Sequence, residues 1–181
     1  ATLPLKSFIV CCLQKHDGVD YADFKSPWVS RRIATLRVQH AKDSGSFGLI
    51  EELSITVSGQ GLYPIDDQVK PLVAGASTSE GLCTLFIQHT SASLLVQESY
   101  DPSARIDLEN WLNRLVPEND AIYTHTLEGA DDMPAHIKSA LTATQVSVPF
   151  REGKLMLGTW QGIYLWEHRH HSGSRSVVVH L

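Results

Sequence analysis

Four short runs in the C-terminal third limit the fold most. They are QVSVPF (145–150), GKLMLG (153–158), GIYLWEH (162–168) and SRSVVVHL (174–181), separated by glycine-containing turns. Runs this short, rich in β-branched and aromatic residues, predict strands. HRHHSGS (168–174) reads as a hairpin loop joining the last two. Upstream, Leu53, Ile55 and Val57 alternate with Glu52, Ser54 and Thr56, the period of a strand with one buried face. Gly59 and Gly61 end that strand, and Leu82–Gln88 reads as another.

Helices fall between these strands. Asp101 caps a helix whose first position is Pro102, where the missing N–H costs nothing. Ala104, Leu108, Trp111, Leu112 and Leu115 form its apolar stripe, and Pro117 lies just past its end. A second helix starts at Pro134, after Asp131 or Asp132, and turns Ile137, Ala140 and Leu141 inward. A short helix with Val69, Leu72 and Val73 follows a cap at Asp66 or Asp67. Strands and helices mix without strict alternation. The expected fold is therefore α+β, a compact single domain with a largely antiparallel sheet or sandwich and two main helices.

A chain of 181 residues with 43% hydrophobic residues suits one domain with a proper core. Residues 1–46 read as an N-terminal extension packed on the core, and 47–181 as the main domain. The net charge of -5 argues against duplex nucleic acid as a partner, since that needs a basic face. The longest N-terminal apolar run, FIVCCL, is far short of the roughly 20 residues of a membrane span. No signal-peptide pattern is visible, so a cytoplasmic protein with no membrane partner is expected. Cys11, Cys12 and Cys83 include no C-x-x-C pair and read as small buried thiols in a reducing compartment.

The nine histidines divide by position. His16 and His40 read as surface residues of the extension, and His180 faces outward beside Val177 and Val179. His168, His170 and His171 crowd the expected hairpin loop and read as a solvated turn. His89 ends a strand, His125 follows Ile122 and Tyr123, and His136 lies in the first turn of a helix. Rigid elements meeting loops hold functional groups well. Three imidazoles, with Glu98, Asp101, Glu128, Asp131 and Glu167 available, suit a zinc-type site, although His125-x10-His136 matches no zincin spacing. Glu167 shares a strand face with Ile163 and Leu165 and needs a partner if that face is buried. Arg175, across the expected hairpin, is the plain candidate for an ion pair. No G-x-S-x-G, P-loop or G-x-G-x-x-G is present, which leaves Thr90, Ser91 and Ser93 as hydroxyl donors to a phosphate or as turn caps.

HTSASLLVQESYDPSARIDLENWL, THTLEGADDMPAHIKSAL and GKLMLGTWQGIYLWEHRHHSGSRSVVV together resemble the YjbQ family, from about residue 48 to 181. The resemblance implies a compact α+β domain that forms a homotrimer. It also implies a secondary thiamine-phosphate synthase activity, which joins a pyrimidine-methyl diphosphate to a thiazole phosphate and releases pyrophosphate. It further implies a divalent metal, zinc or magnesium, held by histidines near the subunit boundary. Carried over motif by motif, the metal ligands are His89, His125 and His136. Glu98, Glu167 and Arg175 take catalytic roles, and Ser91, Ser93, Trp160 and Gln161 bind the phosphorylated small-molecule substrate. The family turn that often reads His-Asp-Ile-Thr is LYPID here. A metal-dependent hydrolase or lyase of a phosphorylated metabolite would need the same groups; the other alternative is a non-catalytic trimer that binds a small anionic metabolite and keeps its affinity without His125 and His136.

Overall fold

The computed structural model describes residues 48–181; the extension expected over residues 1–46, with His16, His40, Cys11 and Cys12, lies outside them. The order is β1 (Ile50–Val57), β2 (Gly61–Pro64), α1 (Asp66–Ala74), β3 (Glu80–Ile87), β4 (Ala92–Glu98), α2 (Pro102–Leu115), α3 (Asp132–Leu141), β5 (Gln145–Arg151), β6 (Lys154–Leu155), β7 (Gln161–Glu167) and β8 (Gly173–His180). Two antiparallel sheets form, a five-stranded one ordered β1-β8-β3-β5-β6 and a three-stranded one ordered β2-β7-β4. This is the expected α+β sandwich.

The main core lies between the sheets. Ile55, Cys83, Leu85, Ile87, Val148, Val177 and Val179 from the larger sheet meet Ala92, Leu94, Ile163 and Leu165 from the smaller, with α1 adding Val69 and Val73. Full burial of each such aliphatic side chain is worth about 1.5–3 kcal/mol before chain entropy is counted. The other face of the smaller sheet is covered too. Leu62, Tyr164 and Trp166 pack there with Leu112 and Val116 of α2 and its end, and with Ile137 of α3. β7 is therefore buried on both faces, which explains its unbroken apolar run.

Several local expectations are corrected. β7 and β8 do not form a hairpin: β7 pairs with β2 and β4, and β8 with β1 and β3. The segment between them carries the chain from one sheet to the other. His168 consequently sits inside, 1% exposed, and not on a solvated loop, whereas His170 and His171 are exposed. Only Lys154–Leu155 of GKLMLG pairs as strand. The α2 stripe is narrower than its spacing suggests, since Trp111 and Leu115 are half exposed and Leu112 alone is buried. Helix α3 begins two residues early, at Asp132. It buries Ala135, Lys138 and Ser139 in place of Ala140 and Leu141, and Ile137 is half-buried. α1 is entered from Ile65 with no side-chain cap, because the Asp66 carboxylate instead accepts the backbone N–H of Ile163. The Asp101 cap on α2 forms as expected, accepting Ser103 N–H at 2.8 Å.

Candidate metal and anion site

The chemistry gathers where β4 begins and β7 ends, since Ala92 pairs with Glu167 in register. Helix α3 is seated there by Ser139 Oγ, which donates to the carbonyl of Ala92 at 3.0 Å. That seat brings the first turn of α3 beside the 89–91 loop.

His136 lies one turn after Asp132 on α3, so the two share a helix face. Its Nδ1 is 3.1 Å from the Thr90 carbonyl and 3.4 Å from Ser91 Oγ. A carbonyl only accepts, so Nδ1 carries the proton and Nε2 keeps its lone pair. This is the usual device that readies a histidine for a metal. His136 Nε2 is 3.6 Å from Asp132 Oδ1, His125 Nε2 is 2.8 Å from Asp132 Oδ2, and the two rings are 5.4 Å apart. Ligand atoms of His125, Asp132 and His136 all lie within 4.8 Å of one another.

Asp132 Oδ2 is buried and accepts no hydrogen bond among the described residues. His125 Nε2 is near enough, but the direction of its N–H or lone pair misses the oxygen. Both atoms are free to converge on a third. A buried carboxylate oxygen left without a partner is costly. Two imidazoles and a carboxylate are the ligand types of a catalytic zinc-like site with an open position, whereas magnesium favours all-oxygen sets. The residues present fit such a cation.

Arg169 holds the cluster in place. Its Nη1 donates to Asp132 Oδ1, its Nε to Asp131 Oδ2 at 3.1 Å, and its Nη2 to the Glu128 carbonyl at 2.8 Å. It thus ties the loop bearing His125 to the end of β7. The Arg169 guanidinium and the backbone N–H of His170 help hold the Asp131 carboxyl below its usual range, against the upward pull of burial. Arg169 N–H in turn donates to Glu167 Oε1 at 2.8 Å, and Arg175 Nε donates to Glu167 Oε2 at 2.5 Å. The Glu167–Arg175 ion pair forms, although across the gap between the sheets and not across a hairpin. Arg175 Nη2 is buried with no acceptor among the described residues. An orphaned guanidinium N–H is a ready partner for an anionic oxygen.

His89 is half-buried, and its Nδ1 accepts the N–H of Ser91 at 3.0 Å. Its proton therefore sits on Nε2, which makes it a donor and not a lone-pair ligand in this arrangement. Burial first, then the Arg175 guanidinium, pulls His89 below its ordinary range, so it is neutral near pH 7. Ser91 is buried beside His136, while Ser93 is wholly enclosed, with Oγ 2.9 Å from His168 Nε2. His168 is pushed down to about 3 by burial and by the cation of Lys138. Lys138, 2% exposed, donates to Asn113 Oδ1 at 2.6 Å, and burial lowers it as well.

Glu98, Trp160 and Gln161 stand elsewhere. Glu98 pairs with Gln161 at the far end of β4 and β7. Six residue steps of strand separate it from Ala92, roughly 20 Å. Within one chain the expected site residues thus split into two groups. His89, Ser91, His125, His136, Glu167 and Arg175 come together, with Ser93 enclosed just behind them.

Asp132 and Arg169 are the functional candidates that spacing did not single out. The i,i+4 relation of Asp132 to His136 was the available signal. Arg169 gave none, because its loop read as a turn.

Comparison with known proteins bears on identity. The family description "UPF0047 protein YjbQ-like" matches residues 51–181. A UPF0047 protein of Synechocystis is 47% identical over 72% of this chain and 89% of its own length. The YjbQ protein of Salmonella typhimurium is 43% identical over 71% and 94%. An uncharacterized YjbQ/UPF0047 protein from Clostridium acetobutylicum has a crystal structure that superposes with a TM-score of 0.66 at 32% identity, covering 72% of this chain and 99% of that one. A conserved hypothetical protein of Thermus thermophilus gives 0.64 at 33% identity, over 71% and 97%. With its sandwich and the whole 51–181 segment matched, the chain belongs to the UPF0047 family of YjbQ-like proteins.

Proposed function

We propose that this protein is a metal-dependent enzyme acting on a small phosphorylated substrate, with a thiamine-phosphate synthase-like transfer as the reaction to test first. The observation that carries the reading is the buried Asp132 carboxylate, flanked by the His125 and His136 imidazoles, whose Oδ2 has no hydrogen-bond partner among the described residues. His125, Asp132 and His136 would hold the cation. Such an ion, when bound, supplies charge stabilisation for phosphate oxygens or an activated water. Arg175 Nη2 and the N–H of His89 would supply donors for an anion. The Arg169 guanidinium fixes Asp132, and Glu167 fixes the Arg175 guanidinium and the Arg169 backbone, so the charged groups are set before substrate arrives.

The proposed assembly is the homotrimer that the family resemblance implies. Ile122 and Leu127, on the loop that carries His125, are 78% and 98% exposed, as befits a face that another copy covers.

The experiment supplies zinc or magnesium, pyrimidine-methyl diphosphate and thiazole phosphate, and follows every product. Joined product with pyrophosphate, lost in His136→Ala, supports the transferase. Phosphate or pyrophosphate release without joined product moves the assignment to a hydrolase or lyase. Tight substrate binding without turnover under any metal leaves a binder and overturns the enzyme.

A further inference from the structure

At the far end of β4 and β7 lies a hollow of about 470 Å³, lined by Gln97, Glu98, Gly158, Thr159, Trp160 and Gln161. Its size suits a small molecule. Trp160 is 61% exposed, and Tyr100, 79% exposed and outside the lining, packs against it with ring centroids 6.4 Å apart and planes tilted by 37°.

The rings are held by their backbone. The N–H and hydroxyl of Ser99 both donate to the Trp160 carbonyl, at 2.8 and 3.2 Å. Gly158 N–H donates to Gln161 Oε1 at 2.8 Å, and Tyr100 N–H to Glu98 Oε1 at 2.7 Å. Glu98 spends only Oε1 on these turns; Oε2 has no partner among the described residues. Arg105, the nearby base, is stacked over Tyr164 and does not line the hollow.

We infer that this hollow binds a quaternary or N-alkylated organic cation. Ring faces carry negative potential, and a weakly hydrated cation loses little when it leaves water to lie on them. The Glu98 carboxylate adds the opposite charge at the same place and turns anions away. A hydrated metal ion would gain nothing from the Trp160 ring. Within one chain the hollow lies at the opposite end of β4 and β7 from the His125–Asp132–His136 cluster.

Full-length, untagged protein labelled on its tryptophan indoles is titrated with choline, then with its uncharged isostere 3,3-dimethyl-1-butanol, and read by NMR. Trp160→Phe assigns the indole N–H signal. Choline is expected to shift the Trp160 signal saturably, with the neutral isostere about tenfold weaker or silent. Glu98→Gln keeps the acceptor for Tyr100 N–H, so the turn survives; it is expected to weaken choline about tenfold. Trp160→Ala, at an exposed position, abolishes choline binding measured by calorimetry, while His136→Ala leaves it intact. Equal shifts by both compounds would show an apolar contact only and overturn the inference, as would no saturable shift by either.

Discussion

Asp132 Oδ2 stands 2.8 Å from His125 Nε2 yet accepts no hydrogen bond among the described residues, while Asp132 Oδ1 is clamped by Arg169. One carboxylate thus has a structural oxygen and a free one. Asp132→Asn keeps the shape but swaps a charged acceptor for a neutral amide. Zinc affinity is expected to fall by more than the roughly 10–100-fold that loss of an outer-shell partner costs. Calorimetric titration of both proteins checks it; unchanged affinity would exclude Asp132 as a ligand.

Arg169 carries a different burden. It is buried among Asp131, Asp132 and the Glu128 carbonyl. Arg169→Leu leaves two buried carboxylates unbalanced and is expected to cost about 3–5 kcal/mol of unfolding free energy. Urea denaturation measures it, and a loss below about 1 kcal/mol would mean that the loop is held by other contacts.

Acid should destabilise the fold through His168. Its folded pKa is about 3, against an ordinary value of 6.5. Between those limits the unfolded chain binds a proton that the folded chain refuses. Stability from this group is therefore complete above 6.5 and is lost as pH falls toward 3, at up to about 1.4 kcal/mol per pH unit. His89, also lowered, adds the same sign. Urea midpoints from pH 7 to 4 should show the slope, and His168→Gln should reduce it by about one proton. An unchanged slope would mean His168 takes up its proton while folded.

Cys83 lies in the core, fully buried, with its thiol pushed up to about 11 by burial. The thiolate is the reactive form, so iodoacetamide should leave Cys83 untouched in the native protein and label it fully in urea. Peptide mass spectrometry reads the site directly, and rapid native labelling would place Cys83 outside the core.

Much of this was legible in the sequence because local chemistry wrote it. Alternation fixed β1, and the Asp101–Pro102 pair fixed the start of α2. His125 and His136 were identifiable from their places at element ends, and they do meet. The β7–β8 crossing was not legible. A short polar stretch with glycine looks the same whether it folds two strands together or sends the chain to a second sheet, and the difference rests on long-range pairing. That is why His168 and Arg169, buried at the crossing, read as solvent-exposed. Lys138 was hidden for a related reason. Its inward turn follows from how α3 is seated by Ser139 on Ala92, and apolar spacing carries no trace of that bond.

Whether the His125–Asp132–His136 cluster holds a cation is decided by metal content and zinc titration of untagged protein, beside a His125→Ala/His136→Ala double variant. One strong cation site per chain is expected in the parent protein and none in the variant, with the fold intact by circular dichroism. Equal zinc binding by both proteins, or no binding by the parent, would contradict it.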